Sequence, residues 1–237
     1  MADSRLYTQL RQDAEAHYSA TAASYRREDD VAKNAESHAG KCSIVRDLTQ
    51  RFARPIRLLD LGCGTGRYFH CVRNVEWLVG VDPSEHMLAH ARTPVGIHDA
   101  RITLIRSTLH EVAFVKPCFD VAICVGVLSH WCPVDADILQ HVARMLRDDG
   151  CFFFTVEEPF EAGHSLKRRV ARIVRPVLFG PPRRYVDARL MDFGVSEAQV
   201  RALAEPLFRH IEVTKWRSHS GRVDLHCVVS GVKRAVV

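Results

Sequence analysis

The sequence predicts an α/β fold built on a mostly parallel sheet, and three observations support that prediction. Residues 56–61 form a short apolar run, which is typical of a strand buried on both faces. The run ends in a loop with glycines at alternate positions, Gly62, Gly64 and Gly66. From there to residue 156, apolar runs of strand length are interspersed with amphipathic helical patterns, as expected for β-α units.

Length and composition are those of a globular protein. The 237 residues, 47% hydrophobic and 26% charged, are enough to bury a sizeable core. The longest apolar runs, such as 121–128, are too short to span a bilayer. Residues 1–30 are polar and charged, so we expect no secretory signal peptide and a cytoplasmic location. The net charge of +5 is modest.

Eight cysteines are scattered along the chain without a C-x-x-C pair. Several lie in apolar strand patterns, where cysteine behaves as a small hydrophobic residue. Because a reducing compartment disfavours disulfides, we expect none. A metal site formed by Cys118, Cys124, His130 and Cys132 matches no zinc spacing, so the sequence predicts no metal.

The glycine loop indicates which ligand it serves. Its spacing is G-x-G-x-G, whereas pyrophosphate loops need G-x-G-x-x-G and P-loops end in Gly-Lys-Ser/Thr. This difference argues against a nicotinamide-dependent oxidoreductase. Asp60 precedes the loop, and a carboxylate there suits a positively charged amino group better than a phosphate. A helical pattern from Arg67 onward predicts free backbone N–H groups at a helix N-terminus.

The string DLGCGTGR, residues 60–67, resembles the first motif of class I S-adenosylmethionine-dependent methyltransferases. The resemblance implies a doubly wound, seven-stranded sheet with an antiparallel last strand and an N-terminal helical lid. Residues 157–195, with four prolines, break the alternation of strands and helices and predict an insertion after the fifth strand. The resemblance also implies S-adenosyl-L-methionine as cofactor and transfer of its methyl group to O, N or C of a small-molecule acceptor. The cofactor residues it implies in the loop are Asp60, Gly62, Cys63, Gly64 and Gly66.

The chain is expected to form one domain over residues 1–237. Its parts are a helical lid (1–52), a cofactor-binding core (53–156), a substrate-side insertion (157–195) and a closing helix with a β-hairpin (196–237). In the lid, residues 17–25 resemble the entry helix of small-molecule methyltransferases, which implies that Tyr25 touches the methionine end of the cofactor. The alternative is a tyrosine that packs an N-terminal helix on the core.

The second strand, 77–81, ends at Asp82-Pro83-Ser84, and Asp82 and Pro83 are candidate cofactor residues. Asp82 lies twenty residues after Gly62, near the spacing at which an acid accepts hydrogen bonds from ribose hydroxyls. The alternative is an aspartate that opens a turn before proline. Ser84 is expected to cap a short helix, and the resemblance implies that Met87 in that helix packs on the adenine or ribose.

The third strand, 102–105, is followed by Ser107-Thr108-Leu109, where the family has Gly-Asp-Ala. The resemblance therefore implies that Thr108 takes the place of the aspartate that accepts from the adenine amino group, with Leu109 beside it. A threonine oxygen can accept one such bond, but it is neutral and shorter. The fourth strand, 119–128, contributes Val125 to the expected cofactor site.

Residues 129–131 leave the carboxyl end of the fourth strand, where open α/β sheets bind their ligands. His130 is the candidate general base, because imidazole titrates near neutrality. The alternative is a histidine that shapes the cavity. Trp131 and His164 are candidate substrate residues. After the fourth strand we expect a helix (137–146), a fifth strand (151–156), a helix capped by Ser196 (197–206) and a hairpin (210–216 and 223–232).

Residues 164–189 hold eight basic residues and one acid, Asp187. Three interpretations stay open: a solvated helix face, a surface that attracts an anionic acceptor, and a peripheral membrane contact through 164–179.

Two alternative functions also stay open, an RNA-modifying methyltransferase and a non-catalytic S-adenosylmethionine-binding protein. Nucleic acid is not the expected partner, because the chain shows no appended RNA-binding module. The oligomeric state is left open.

Overall fold

Seven strands form one mixed sheet at the centre of the described chain. A computed structural model describes residues 12, 14–25, 35–91, 101–129, 132–159, 194–217 and 223–234. Helix α1 covers 14–25. The elements that follow are α2 (Ala35–Gln50), β1 (Ile56–Leu61), β2 (Val75–Asp82), α3 (Glu85–Ala89), β3 (Arg101–Arg106), β4 (Phe119–Cys124), α4 (Ala136–Met145), β5 (Leu146–Glu157), α5 (Glu197–Ala204), β6 (Phe208–Arg217) and β7 (Val223–Val232).

The strand order is β3-β2-β1-β4-β5-β7-β6. Neighbouring strands from β3 to β5 run parallel, whereas β7 runs antiparallel to both β5 and β6. Because β1 lies between β2 and β4, the chain reverses its direction of travel across the sheet at this point, where open sheets bind ligands. The predicted doubly wound sheet with an antiparallel last strand is confirmed.

Apolar clusters cover both faces of the sheet, as the apolar sequences of its central strands predict. All six residues of β4 are buried. Leu59 and Leu61 of β1 join the cluster beneath α4 and α5, while Ile56 and Leu58 join the cluster beneath α2. This alternation follows from the two-residue period of a strand. No helix among the described residues is long and apolar enough to cross a membrane.

Two predicted helix caps are confirmed. The Ser84 hydroxyl accepts a hydrogen bond from the backbone N–H of Met87 at 3.2 Å, at the start of α3. Ser196 and Gln199 form both halves of a capping box at the start of α5. Each bond satisfies an N–H group that a helix N-terminus otherwise leaves without a partner.

A network of ion pairs lies at the end of the sheet where the central strand β4 begins. Asp120 is fully buried and accepts hydrogen bonds from Arg54 at 2.6 Å, Arg147 at 2.8 Å and the backbone N–H of Arg57 at 2.8 Å. Burial alone would raise the pKa of Asp120, but these three donors outweigh it and hold the pKa below its ordinary value. The network joins β1, β4 and β5.

Three expected boundaries were wrong. The fifth strand begins at Leu146 rather than at residue 151. The fourth strand ends at Cys124 rather than Leu128, because Gly126 turns the backbone with a φ of 74° and its N–H donates to Thr155 Oγ1 of β5 at 2.9 Å. The helix expected from Arg67 is a series of turns over 64–71, held by bonds such as Gly66 N–H to the Cys63 carbonyl at 2.9 Å.

The expectation that the chain forms no disulfide was also wrong. Cys42 of α2 and Cys71 are joined by a disulfide, with their Cα atoms 5.3 Å apart. They are 29 residues apart in sequence, and the packing of α2 over the turns after the glycine loop brings them together. Their spacing in the sequence could not reveal this contact.

Candidate functional site

The glycine loop leaves β1 in a conformation that glycine favours. Gly62 has a φ of 76° and Gly64 a φ of 51°, both in the left-handed region. A Cβ atom at Gly62 would overlap the Val127 side chain, and one at Gly64 would lie 3.4 Å from Cε of Met87. The loop therefore packs closely against the chain that follows β4 and against α3.

The loop amides point inward to β2. Gly62 and Cys63 donate to the carbonyl oxygen of Val81 at 2.8 and 3.0 Å, and Gly64 donates to Oδ2 of Asp82 at 2.9 Å. The expectation that the loop offers free N–H groups to a ligand was wrong for these three residues. The physical reason is that β2 ends beside the loop with both a carbonyl and a carboxylate.

Asp82 is the last residue of β2 and lines a cavity at this edge of the sheet. Its Oδ1 accepts from the backbone N–H of Ser84 at 2.9 Å. Burial raises the pKa of Asp82 and nearby Glu15 adds to the rise, although the two backbone donors, Ser84 and Gly64, oppose it. The carboxylate is therefore held in a fixed position at the cavity wall.

Asp60, the penultimate residue of β1, is 2% exposed and lies outside the cavity lining. Its Oδ2 has no hydrogen-bond partner among the described residues. Burial, followed by the charge of Asp82, raises the pKa of Asp60 to about 8. A cation placed near this carboxyl group would favour its ionised form.

The cavity has a volume of about 230 Å³ and lies at the carboxyl ends of β1 to β4. It is enclosed by the glycine loop, by α1, by the start of α3 and by the segments that follow β3 and β4. Thr108 lines it after β3, with its hydroxyl donating to Oε2 of Glu111 at 3.0 Å. That bond leaves the lone pairs of the Thr108 oxygen as acceptors. The site offers fixed acceptors within a largely apolar lining, as small-molecule sites do.

A comparison with protein families decides what this arrangement is. Residues 58–150, from β1 into β5, match the sequence model of the methyltransferase domain family. The match identifies this stretch as a methyltransferase domain. The seven-stranded, doubly wound sheet with an antiparallel last strand is the one that the resemblance implied.

Two curated relatives align with about half of the chain. The probable S-adenosylmethionine-dependent methyltransferase CRG1 of Saccharomyces cerevisiae is 32% identical over 118 residues, which cover 47% of this chain and 40% of the relative. The trans-aconitate 2-methyltransferase of Methylobacterium nodulans is 34% identical over 125 residues, which cover 50% of this chain and 45% of the relative. The chain thus spans less than half the length of each.

A solved structure with the same fold covers nearly the whole chain. It is the magnesium protoporphyrin IX methyltransferase of Synechocystis PCC 6803 with bound SAH, superposed with a TM-score of 0.64 at 16% identity. The match covers 93% of this chain and 99% of that one. At this identity the similarity is one of fold.

Most of the residues assigned to the cofactor from the sequence lie together in the cavity of the methyltransferase domain. They are Tyr25, Gly62, Cys63, Gly64, Asp82, Pro83, Met87, Thr108, Leu109 and Val125. Asp60 and Gly66 do not line it. Asp60 lies behind the loop, and Gly66 shapes the turn that follows with a φ of 68°.

Several cavity residues were missed by sequence reasoning. Glu15 and Tyr18 of α1, Lys41 of α2, Arg67 and His110 all line the cavity. His110 directly follows the predicted Leu109, so its position after β3 was the available signal. The sequence held no signal for Lys41, because this residue reaches the cavity only through the packing of α2. There it pairs with Asp224 of β7 at 3.5 Å.

His130, Trp131 and His164 lie outside the described residues, as does the basic segment 164–189. The chain on either side of the first two is described. Ser129 has a φ of 67°, and its N–H donates to the carbonyl of Cys132 at 2.7 Å. Cys132 lines the cavity, and its Sγ lies 3.7 Å from Nε2 of His110.

Proposed function

We propose that this protein transfers the methyl group of S-adenosyl-L-methionine to a small-molecule acceptor. The observation that supports the proposal best is Asp82, a buried carboxylate fixed by Gly64 and Ser84 at the cavity wall. A nucleoside ribose presents two adjacent hydroxyl donors, which suit such an acceptor.

The residues present fit the cofactor. Asp82 would accept from the ribose, Thr108 from the adenine amino group, and Met87 with Leu109 would pack on the ring. Oδ2 of Asp60, which has no hydrogen-bond partner in the described part of the chain, would face the positive charge of the methionine end through the loop, with Tyr25 on the other side. When bound, S-adenosylmethionine supplies a methyl group that its sulfonium has already activated.

The chain's own contribution is to orient the acceptor, exclude water and accept a proton where the acceptor carries one. Tyr18 and Tyr25 of α1 close one side of the cavity. His130 is our proposed general base for a protonated acceptor, with Trp131 and His164 as proposed acceptor contacts. Among the described residues, His110 is the histidine that lines the cavity.

We further propose that the acceptor carries a carboxylate. Lys41 and Arg67 place two cationic side chains at the cavity, and one relative is named for trans-aconitate, a tricarboxylate. Lys41 is held by Asp224 at 3.5 Å, so an incoming carboxylate would share a cation that is already positioned. We also propose that residues 1–237 form one domain.

The test separates cofactor binding from turnover. Calorimetry with S-adenosylhomocysteine should show binding to the wild type and a loss of about 10-fold or more in Asp82→Ala, while Asp137→Ala, at an exposed aspartate on α4, serves as control. Methyl-labelled cofactor is then offered with trans-aconitate, a neutral phenol and an RNA transcript.

A labelled methyl ester of trans-aconitate would support the full proposal. Label found only in the methylated phenol would overturn the proposal that the acceptor carries a carboxylate. Methylated RNA would favour the RNA-modifying alternative. Binding of S-adenosylhomocysteine without turnover of any acceptor from a metabolite extract would favour the non-catalytic alternative.

A further inference from the structure

A cluster of two histidines and two cysteines lies outside the candidate active site. His38 and Cys42 belong to α2, and His70 and Cys71 end the turns that follow the glycine loop. One potential ligand atom from each residue lies within 4.8 Å of the other three. Cys42 is 5% exposed and Cys71 is fully buried, so the cluster is closed to bulk solvent on the cysteine side.

Local geometry explains why the four side chains meet. His38 and Cys42 are four residues apart on α2 and therefore share one face of the helix. The turn that ends with the Cys71 N–H donating to the Tyr68 carbonyl at 2.9 Å directs His70 and Cys71 toward that face. The rings of His38 and His70 have centroids 5.4 Å apart.

The distances fit a tetrahedral metal. Zinc–sulfur and zinc–nitrogen bonds of about 2.3 and 2.0–2.1 Å imply separations of about 3.4–3.8 Å between ligand atoms. Cys42 Sγ lies 3.4 Å from His38 Nε2 and 3.9 Å from His70 Nε2, and Cys71 Sγ lies 3.5 Å from His70 Nε2. Three edges of the ligand tetrahedron are thus close to those of a Cys2His2 zinc site.

We propose that His38, Cys42, His70 and Cys71 form a structural Zn²⁺ site when the two cysteines are reduced. The disulfide seen here is the oxidised form of the cluster. A dithiol reductant would convert it to two thiols and become a cyclic disulfide itself, which balances both electrons and protons. On binding Zn²⁺, the two thiols release their protons to the buffer, and the sulfurs separate to about 3.8 Å.

A closed set of four protein ligands leaves no open position, which is the mark of a structural rather than a catalytic zinc site. The ion would tie the turns after the glycine loop to α2. Two residues beside the cluster, Lys41 and Tyr68, line the cavity. Lys41 precedes Cys42 in the sequence, and the ring centroids of Tyr68 and His38 are 5.3 Å apart. The site would therefore brace one cavity wall, and it does not depend on the proposed methyl transfer.

The experiment uses the full chain, reduced with dithiothreitol and then freed of it under anaerobic conditions. Zn²⁺ is titrated against a chromophoric chelator, and Co²⁺ is used as a spectroscopic probe. We expect one equivalent of each metal to bind, with the absorption of tetrahedral cobalt–thiolate coordination. We also expect Zn²⁺ at about 100 times its Kd to raise Tm by roughly 5–10 °C.

Variants identify the ligands. Cys42→Ser and His38→Asn should each weaken Zn²⁺ binding by more than about 100-fold, whereas Cys118→Ser, at another buried cysteine, should leave it unchanged. Equal affinity in wild type and Cys42→Ser would overturn the proposal.

A measurement without variants guards against misfolding. Mass spectrometry after alkylation of the reduced chain should show Cys42 and Cys71 protected by Zn²⁺ and modified once EDTA removes it. Alkylation of both cysteines to the same extent with and without Zn²⁺ would overturn the site.

Discussion

The backbone N–H of Gly64 donates a 2.9 Å hydrogen bond to Oδ2 of Asp82, and this bond joins the glycine loop to the end of β2. The same carboxylate also receives the N–H of Ser84. One side chain therefore sets the conformation of two segments of the cavity wall while it faces the cavity itself. Changes at Asp82 should act on both loop order and ligand affinity.

We expect Asp82→Ala to weaken S-adenosylhomocysteine binding by about 1.5–3 kcal/mol, because hydrogen bonds to a charged acceptor are lost. Asp82→Asn keeps one oxygen acceptor and should lose less. Tm, measured on the same samples, reports the separate loss of the Gly64 and Ser84 bonds. Wild-type affinity in both variants, measured by calorimetry, would contradict the ribose assignment.

Thr108→Val should weaken cofactor binding by about 0.5–1.5 kcal/mol, because valine keeps the shape but removes the oxygen that we assign to the adenine amino group. Thr108→Ser keeps that oxygen and its bond to Glu111, so it should bind as the wild type does. Thr108→Asp places a second carboxylate beside Glu111. Because salt screens the repulsion between the two carboxylates, this variant should bind the cofactor better at high ionic strength than at low. Equal calorimetric affinities for the Val and Ser variants would place the adenine elsewhere.

The raised pKa of Asp60 predicts a pH-dependent free energy of unfolding. Since the folded chain holds a proton that the unfolded chain releases near pH 4, stability should fall as pH rises from about 4 to about 8, by at most about 1.4 kcal/mol per pH unit. Asp60→Asn should remove this slope in urea unfolding, and Asp149→Asn, at an exposed position, should keep it. A slope unchanged in Asp60→Asn would assign the effect to another group.

Asp120→Ala should lower the free energy of unfolding by about 1.5–3 kcal/mol, because Arg54, Arg147 and the Arg57 N–H lose their acceptor. The lowered pKa of Asp120 means that its contribution is present above its ordinary value of 3.8 and is lost as pH falls through the folded pKa. The site lies at the opposite edge of the sheet from the cavity. Calorimetry should therefore find cofactor affinity unchanged, and a loss of affinity would count against this separation.

The sequence predicted the strands well where burial dictates composition. The apolar runs at 56–61 and 77–81, with three glycines and an aspartate after them, are local signals. They correspond to β1 and β2 of the structure. The inward turn of the Gly62 and Cys63 amides was not predictable, because it depends on where the Val81 carbonyl lies. The Cys42–Cys71 contact was hidden for the same reason, since it forms only when α2 packs.

The reversal of β7 has a consequence for how this fold can change. Because β7 runs opposite to its neighbours, it begins at the cavity edge of the sheet, where Glu157 pairs with Asp224 and Asp224 reaches Lys41. β6 ends at that same edge, and Lys215 near its end binds Glu158 at 2.6 Å. Arg217 and Val223 therefore both lie at the cavity end of the sheet, so the number of residues between them can change during evolution without shifting the register of β6 against β7.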